Sequence, residues 1–483
     1  MQVIEPQSPF IRRSSALLIV CPIFAVTAVF GLIAEHHGIN PDEGFYLAAG
    51  SAVGSGLKPY VDFFFPQMPY LPYLEAAFMA VYGIGLHAGR HISVGSTAML
   101  AGVLAVRSAE HARRAEVGVA VALLYATHVL SLNYLTVLKT YGIANLLIVS
   151  ALLLVVREKS SLGRLALAGL LAALAVGVRL PMLAVLAVLC LWCARADWKR
   201  GAVFAAGALP ALLPVALLAI SDPQAFWFNN VGFHDLRREI VGVGPILAQK
   251  AGVLARWVLV PQNLILWCLA IVGWLRGSRR ESCALLAAVA LGAMYLYATP
   301  TYLEYMVQLM PLLLIAGTPA IALLLERRSM AFAVATIWFI GLAVALRPAG
   351  AGSERAEKLE LWSRTTVDSV ARHLQDNSEP TDTVLSWWEG YPILAMRPGY
   401  KEVGFWQSNA AKKLSTEDRQ RYHVAATDDV RKIIESGAPR LIVAADDEWV
   451  DLRPAIARRY RLSQTFGPVQ VFIRQPSTGG SDG

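Results

Sequence analysis

The sequence predicts a mainly α, polytopic transmembrane helix bundle of about 11–13 spans, followed by a small soluble α/β domain. Three observations carry this. Of the 483 residues, 56% are hydrophobic and only 16% are charged, with a mean hydropathy of +0.49; soluble domains carry about 25% charged residues. The apolar residues fall in runs of roughly 16 to 22, near the length that crosses a bilayer core. Beyond residue 348 the composition changes to that of a soluble chain.

The first run, "FIRRSSALLIVCPIFAVTAVFGLIAEHH", places Arg12 and Arg13 ahead of roughly 20 apolar residues, longer than the core of a cleavable signal. It is read as an uncleaved helix with its N-terminus in the cytoplasm, which puts the next segment outside. Candidate spans follow at 14–34, 69–86, 91–106, 115–132, 142–156, 162–178, 180–196, 200–220, 253–275, 282–299, 303–324 and 330–347. Residues 1–348 form the expected transmembrane domain, interrupted by a first external loop at 35–68 and a second, polar and aromatic, at 221–252. "RPAGAGSERAEK", starting at Arg347, has linker composition.

Residues 349–483 read as the soluble domain. "LELWSRTTVDSVARHLQ" has helical amphipathic spacing, and "TVLSWW" reads as a strand. "DDVRKIIESG" reads as a helix stopped by a C-cap glycine, and "PRLIVAAD" as a buried strand. "DLRPAIARRY" is a further helix and "VQVFIRQ" an alternating strand. Strands alternating with helices define a small α/β fold.

The 43 Lys and Arg against 35 Asp and Glu give a formal charge of +8, spread over short loops such as "RSAEHARR" and "RGSRRE". That pattern sets membrane topology and meets anionic lipid. No basic stripe interleaved with aromatics points to nucleic acid. The five cysteines lie in or beside apolar runs, and "CLWC" at 190–193 has no further ligands near it, so neither a disulfide framework nor a redox motif is implied.

The first external loop, "INPDEGFYLAAGSAVGSGLKPYVDFFFPQMPYLPYL", holds the densest chemistry. One reading is structural: Asn40 suits an N-cap, Pro41 the first helical position, and Glu43 the third residue of a capping box. The other reading is functional. Asp42, Glu43, Lys58 and Asp62 lie within about 20 residues at membrane level, where carboxylates and a cation can handle a lipid phosphate and a hydroxyl nucleophile. The aromatics beside them also fit an interfacial belt.

These residues resemble the first external loop and second helix of GT-C glycosyltransferases, in the bacterial branch related to protein O-mannosyltransferases and aminoarabinose transferases. The shared pattern is an acidic pair (Asp42-Glu43), an aromatic (Tyr46), G-x-x-P-Y-x-D (Gly56 to Asp62, with Pro59 and Tyr60), and Q-x-P (Gln67-Met68-Pro69). Pro69 is followed by Tyr70, where the family often has a second proline. Weaker likeness extends to "LAGLLAALAVGVRLPML" and "YLEYMVQLMPLLLIAG". The resemblance implies an integral membrane glycosyltransferase that takes a sugar from a polyprenyl-phosphate donor at the outer face of a bacterial inner membrane. Its acceptor would be a lipid, a glycan or a protein, and the soluble domain would lie on the periplasmic side, although twelve spans would place it inside.

In that frame Asp42 is the expected base for the acceptor hydroxyl, with Glu43 orienting it, or the reverse. Direct displacement by one base would invert the anomeric centre. A divalent cation, Mg or Mn, held by Asp42, Glu43 and Asp62 is an open alternative. Lys58 and Arg179 are expected to face the departing phosphate. Arg179 interrupts a run of roughly 30 apolar residues, where an arginine needs a partner or a task; a short cytoplasmic turn would also explain it. Tyr46, Tyr60, Gln67, His234, Tyr302 and Glu304 complete the candidate substrate contacts. Glu75 is expected to make a helix–helix hydrogen bond, and Lys139 to snorkel from a helix end. A transporter or flippase, or a non-catalytic membrane scaffold, are the rival classes. No internal repeat supports the former.

Overall fold

The computed structural model describes residues 9–157, 160–347, 354–403, 408–446 and 448–476. Most of the expected linker, 348–353, lies outside them. In chain order the helices are α1 Pro9–His36, α2 Pro41–Gly54, α3 Tyr70–Tyr82, α4 Leu86–Ala112, α5 Ala115–Ala126, α6 Val129–Tyr134, α7 Tyr141–Val155, α8 Leu162–Val178 and α9 Met182–Ala196. They continue as α10 Trp198–Ser221, α11 Pro223–Trp227, a π turn, α12 Phe233–Val241, α13 Val243–Leu259, α14 Pro261–Arg276, α15 Arg279–Tyr297, α16 Met306–Glu326 and α17 Arg328–Ala345. The chain divides into two compact units.

The helical unit comprises α1 to Glu35, residues 90–217 and residues 241–347. Among the described residues four helices are long and apolar enough to cross a membrane: α4, α10, α16 with the short turn before it, and α17. α13 and α14, bent by 69° at Val260-Pro261, make one broken span if counted together. α5, α7, α8 and α9 are apolar but only 12 to 17 residues long, short of the roughly 20 that an upright span needs. This is a multi-pass membrane protein. Leu209, Leu213 and Leu217 lie exposed at i, i+4 spacing along α10, as expected of a face that meets lipid.

Local sequence explains where these helices start and how closely they pack. Ser161 caps α8 by accepting the Arg164 N–H, and Ser278 with Glu281 forms a capping box on α15. Lys250 donates to the carbonyls of Leu296, Tyr297 and Ala298 at the far end of α15, satisfying groups that a helix C-terminus leaves open. A Cβ on Gly273 of α14 would run into the Ala316 carbonyl of α16, and one on Gly317 would press on Leu269. Glycine on both sides lets the two backbones meet, as small residues do at membrane helix interfaces.

The second unit contains residues 36–89, 218–240 and the described residues after 347. Its sheet has strands β1 Val384–Ser386, β2 Leu441–Ala445, β3 Tyr460–Phe466 and β4 Val469–Arg474, in the order β1-β2-β4-β3. β1 is parallel to β2, and the other pairings are antiparallel. The expected strands at "TVLSWW", "PRLIVAAD" and "VQVFIRQ" are present, and Gly437 ends the "DDVRKIIES" helix with φ of 68°. β3 is an addition that the sequence reading missed. Val367, Val370 and Leu374, at helical spacing, bury against Val443 and Val471 of the sheet.

Two expectations are corrected. The span expected at 69–86 is α3, 13 residues long, broken from α4 at Gly83; at 1.5 Å per residue it covers about 20 Å and does not cross a bilayer. The loop expected at 221–252 is mostly helical. Asp222 caps α11 through the Ala225 N–H with Pro223 in the first turn, and Gly242, at φ of 81°, separates α12 from α13.

Candidate active site

In the second unit the acidic pair starts α2, and its two carboxylates face different surroundings. Asn40 accepts the Asp42 N–H at 3.1 Å while Glu43 Oε2 accepts the Asn40 N–H at 2.9 Å, so the capping box is complete. Glu43 is fully buried and Asp42 half-buried. The structural and functional readings therefore divide between the two residues: Glu43 is committed to the helix start, and Asp42 stands nearer to solvent.

Behind Glu43 lies Glu75 of α3. It is fully buried, and neither of its carboxylate oxygens has a hydrogen-bond partner. The expected helix–helix hydrogen bond is not made, because Glu75 faces Glu43 and the glycine of α2 at position 50, where any Cβ would strike its side chain. Burial, reinforced by the Glu43 charge, holds the Glu75 carboxyl well above its ordinary range.

The rest of the motif forms a knot of hydroxyl and amide contacts. The Tyr46 hydroxyl lies 3.0 Å from Gln67 Oε1 and 2.8 Å from Nε2. Tyr60, fully buried at φ of 72°, donates its hydroxyl to the Gln67 carbonyl at 2.6 Å. A bulky residue in that left-handed conformation is strained, and this hydroxyl anchor is what fixes it. Asp62 Oδ2 accepts the Lys58 N–H at 2.7 Å, closing the turn, while Lys58 itself is exposed. Asp62 therefore has a structural acceptor role. Among the described residues no three His, Cys, Asp or Glu side chains converge as a metal site.

Distant segments hold this loop. Phe65 donates its N–H to Asn229 Oδ1 at 2.7 Å, His423 meets the Val61 carbonyl at 2.8 Å, and Trp388 Nε1 donates to the Pro41 carbonyl at 2.7 Å. A Cβ at Gly44 would collide with the Trp388 ring, so glycine there admits the indole against α2. His234 lies on α12, half-buried, with its ring 5.8 Å from that of Phe233. Asn229, Trp388 and His423 escaped the sequence reading, being hundreds of positions from the motif they support.

In the helical unit Arg179 ends α8 and is 8% exposed. Its Nε donates to the Tyr295 hydroxyl at 2.9 Å and its Nη1 to Thr140 Oγ1 at 2.8 Å. The guanidinium also sits over the rings of Tyr141, Tyr295 and Tyr305 at 4.6, 5.5 and 5.0 Å. Glu304 joins the same cluster: Lys139 Nζ lies 2.9 Å from its Oε1, and the Tyr141 hydroxyl donates to that oxygen. Lys139, 2% exposed, is buried and paired, which corrects the expectation that it snorkels. Tyr302 stacks edge-on against Tyr305 with ring centroids 5.5 Å apart.

Apolar helices, a first polar segment built around an acidic helix start, and a four-stranded α/β sheet together make up the fold of this chain. Two solved structures share it over nearly the whole chain. ArnT from Cupriavidus metallidurans, an aminoarabinose transferase solved with undecaprenyl phosphate, superposes with a TM-score of 0.69 at 15% identity, covering 96% of this chain and 98% of that one. Its apo form gives 0.69 at 16% identity, covering 94% and 97%. No family model and no curated protein matches the sequence.

Proposed function

We propose that this chain is a membrane glycosyltransferase that moves a sugar from a polyprenyl-phosphate donor to an acceptor hydroxyl at the outer face of the cytoplasmic membrane. The observation that carries the proposal is the whole-chain fold likeness to ArnT, one of whose structures holds undecaprenyl phosphate, together with the acidic motif at the start of α2.

Asp42 is the general base. Its partial exposure at the first turn of α2 suits it to meet an acceptor, whereas Glu43 is buried in the cap. The acceptor oxygen attacks the anomeric carbon and its proton passes to the Asp42 carboxylate. The bond from that carbon to the phosphate oxygen breaks, and its electron pair leaves on the polyprenyl phosphate. One such displacement inverts the anomeric centre. Phosphate is a good leaving group, so positive charge already in place serves it better than an acid; Lys58 supplies it. Tyr46, Tyr60 and Gln67 hold the loop in shape, and His234, Tyr302 and Glu304 are the further substrate contacts. The acceptor is a lipid, glycan or protein, chosen with help from the α/β domain on the periplasmic side.

The test is turnover of a panel of polyprenyl-phosphate sugars by purified protein, with a membrane extract as acceptor. Wild type should consume one donor. Asp42→Asn should lose at least a hundredfold in kcat, the range of general-base contributions, with unchanged melting. Normal turnover by Asp42→Asn would remove the base assignment, and no donor consumption by wild type would remove the transferase.

A further inference from the structure

A second polar site lies in the helical unit, at the ends of the helices remote from Arg179. Arg107 and Glu110 from the end of α4, Arg157 just after α7, Arg164 from the first turn of α8, and Ser278 and Arg280 at the start of α15 surround a recess of about 540 Å³. His111 also lines it, with Nε2 2.8 Å from Glu281 Oε1. Among the described residues four arginines therefore converge on one recess against a single lining carboxylate, Glu110, which already pairs with Arg107.

Arg280 is the informative residue. It is 8% exposed, and its Nη1 donates to the Arg107 carbonyl at 3.2 Å. Its Nε and Nη2 are buried with no acceptor at all. Those two N–H groups form one edge of the guanidinium, the fork that takes a carboxylate or phosphate bidentately. A buried donor without a partner is destabilising, and more so when charged. Positive charge at helix ends follows from membrane topology in general, but topology places arginines at the surface. It gives no reason to bury one with its fork empty, or to gather three others round it.

We propose that this recess binds a phosphate group, carried either by an anionic phospholipid headgroup or by a soluble phosphate. On binding, the closed fork of Arg280 opens onto the recess to take two phosphate oxygens, and Arg107, Arg157 and Arg164 close round the rest. The recess opens at the N-terminus of α15, where the helix dipole also favours an anion. The orientation set by Arg12 and Arg13 puts this end on the cytoplasmic side, where basic pockets between helices meet lipid headgroups.

The full-length protein in phosphatidylcholine nanodiscs, with or without phosphatidylglycerol, separates the sources. Native mass spectrometry would count retained lipid, and melting would be followed against inorganic phosphate. Retained phosphatidylglycerol identifies a headgroup site, and stabilisation by inorganic phosphate alone identifies a soluble anion site. In either case Arg280→Gln should weaken binding about ten- to a hundredfold, the loss expected for hydrogen bonds to a charged group. Arg157 and Arg164 are exposed, so Arg157→Gln/Arg164→Gln tests the site without touching the core and should weaken binding several-fold. Equal retention of both lipids with no response to phosphate would overturn the proposal. So would unchanged binding in the double variant, should Arg280→Gln fail to fold.

Discussion

Arg179 and Arg280 are equally buried, at 8% exposure, in the same helical unit and at opposite ends of it. Arg179 closes α8, the helix that Arg164 of the basic recess opens, and donates to Tyr295 in the last turns of α15, the helix that Arg280 opens. Arg179 has its hydrogen bonds met by Tyr295 and Thr140 and its faces covered by three aromatic rings. Arg280 has one carbonyl and an empty fork. Burial alone therefore does not tell a buttressed cation from a receptive one. The count of unmet donors does.

The sharpest way to break this contrast is at Glu304, which neutralises Lys139 beside Arg179. Glu304→Leu takes the carboxylate away from buried Lys139 and from the Tyr141 hydroxyl, which should cost about 3–5 kcal/mol, read from unfolding in detergent; a loss below about 1 kcal/mol would show that the Arg179 end is not a charge-balanced cluster. Next, Arg179→Lys keeps the charge but removes the fork and the planar stack. It should lower stability by about 1.5–3 kcal/mol, and a variant as stable as wild type would mean that charge alone matters there.

The same contrast recurs in carboxylates, between capped Glu43 and unpartnered Glu75. Above its ordinary value of 4.5 the unfolded chain releases the Glu75 proton while the folded chain keeps it. Stability then falls as pH rises from there to the raised folded value, at about 1.4 kcal/mol per pH unit while the two states differ fully. Glu75→Gln should remove that slope and be more stable than wild type at pH 7, with the gap closing towards pH 4.5; parallel melting profiles would show that Glu75 ionises in the fold. The smallest effect is expected at Arg280→Gln without phosphate or anionic lipid. Removing donors that have no acceptor relieves their buried cost while giving up the bond to the Arg107 carbonyl, so stability should hold or rise by about 1 kcal/mol, and a loss would reveal an internal partner.

The sequence made the motif from Asp42 to Gln67 legible because neighbours in the chain are neighbours in a turn. It also offered the capping reading of the acidic pair, which the Asn40–Glu43 hydrogen bonds bear out. What it could not offer was partners. Lys139 and Glu304 are 165 positions apart and Arg179 and Tyr295 are 116 apart, and apolar runs carry little register to say which helices meet. The helices in 221–252 left a local signal that was passed over, since Asp222-Pro223 is a cap followed by a first-turn proline. β3 was hidden because its exposed face is polar and its strand follows directly on a helix.

The indole of Trp388 seated against α2 has a consequence for how this protein is made. The Pro41 carbonyl and the nitrogen that binds it are 347 residues apart. At about 5–20 residues per second, a ribosome needs roughly 17 to 70 s to go from one to the other. During that interval α2 has been synthesised and the tryptophan that fits beside Gly44 does not yet exist. The helix bearing Asp42 is therefore made well before the residue that completes its packing. A nascent chain released before Trp388 lacks that support for its acidic helix, so maturation of this region waits on synthesis of the segment around Trp388.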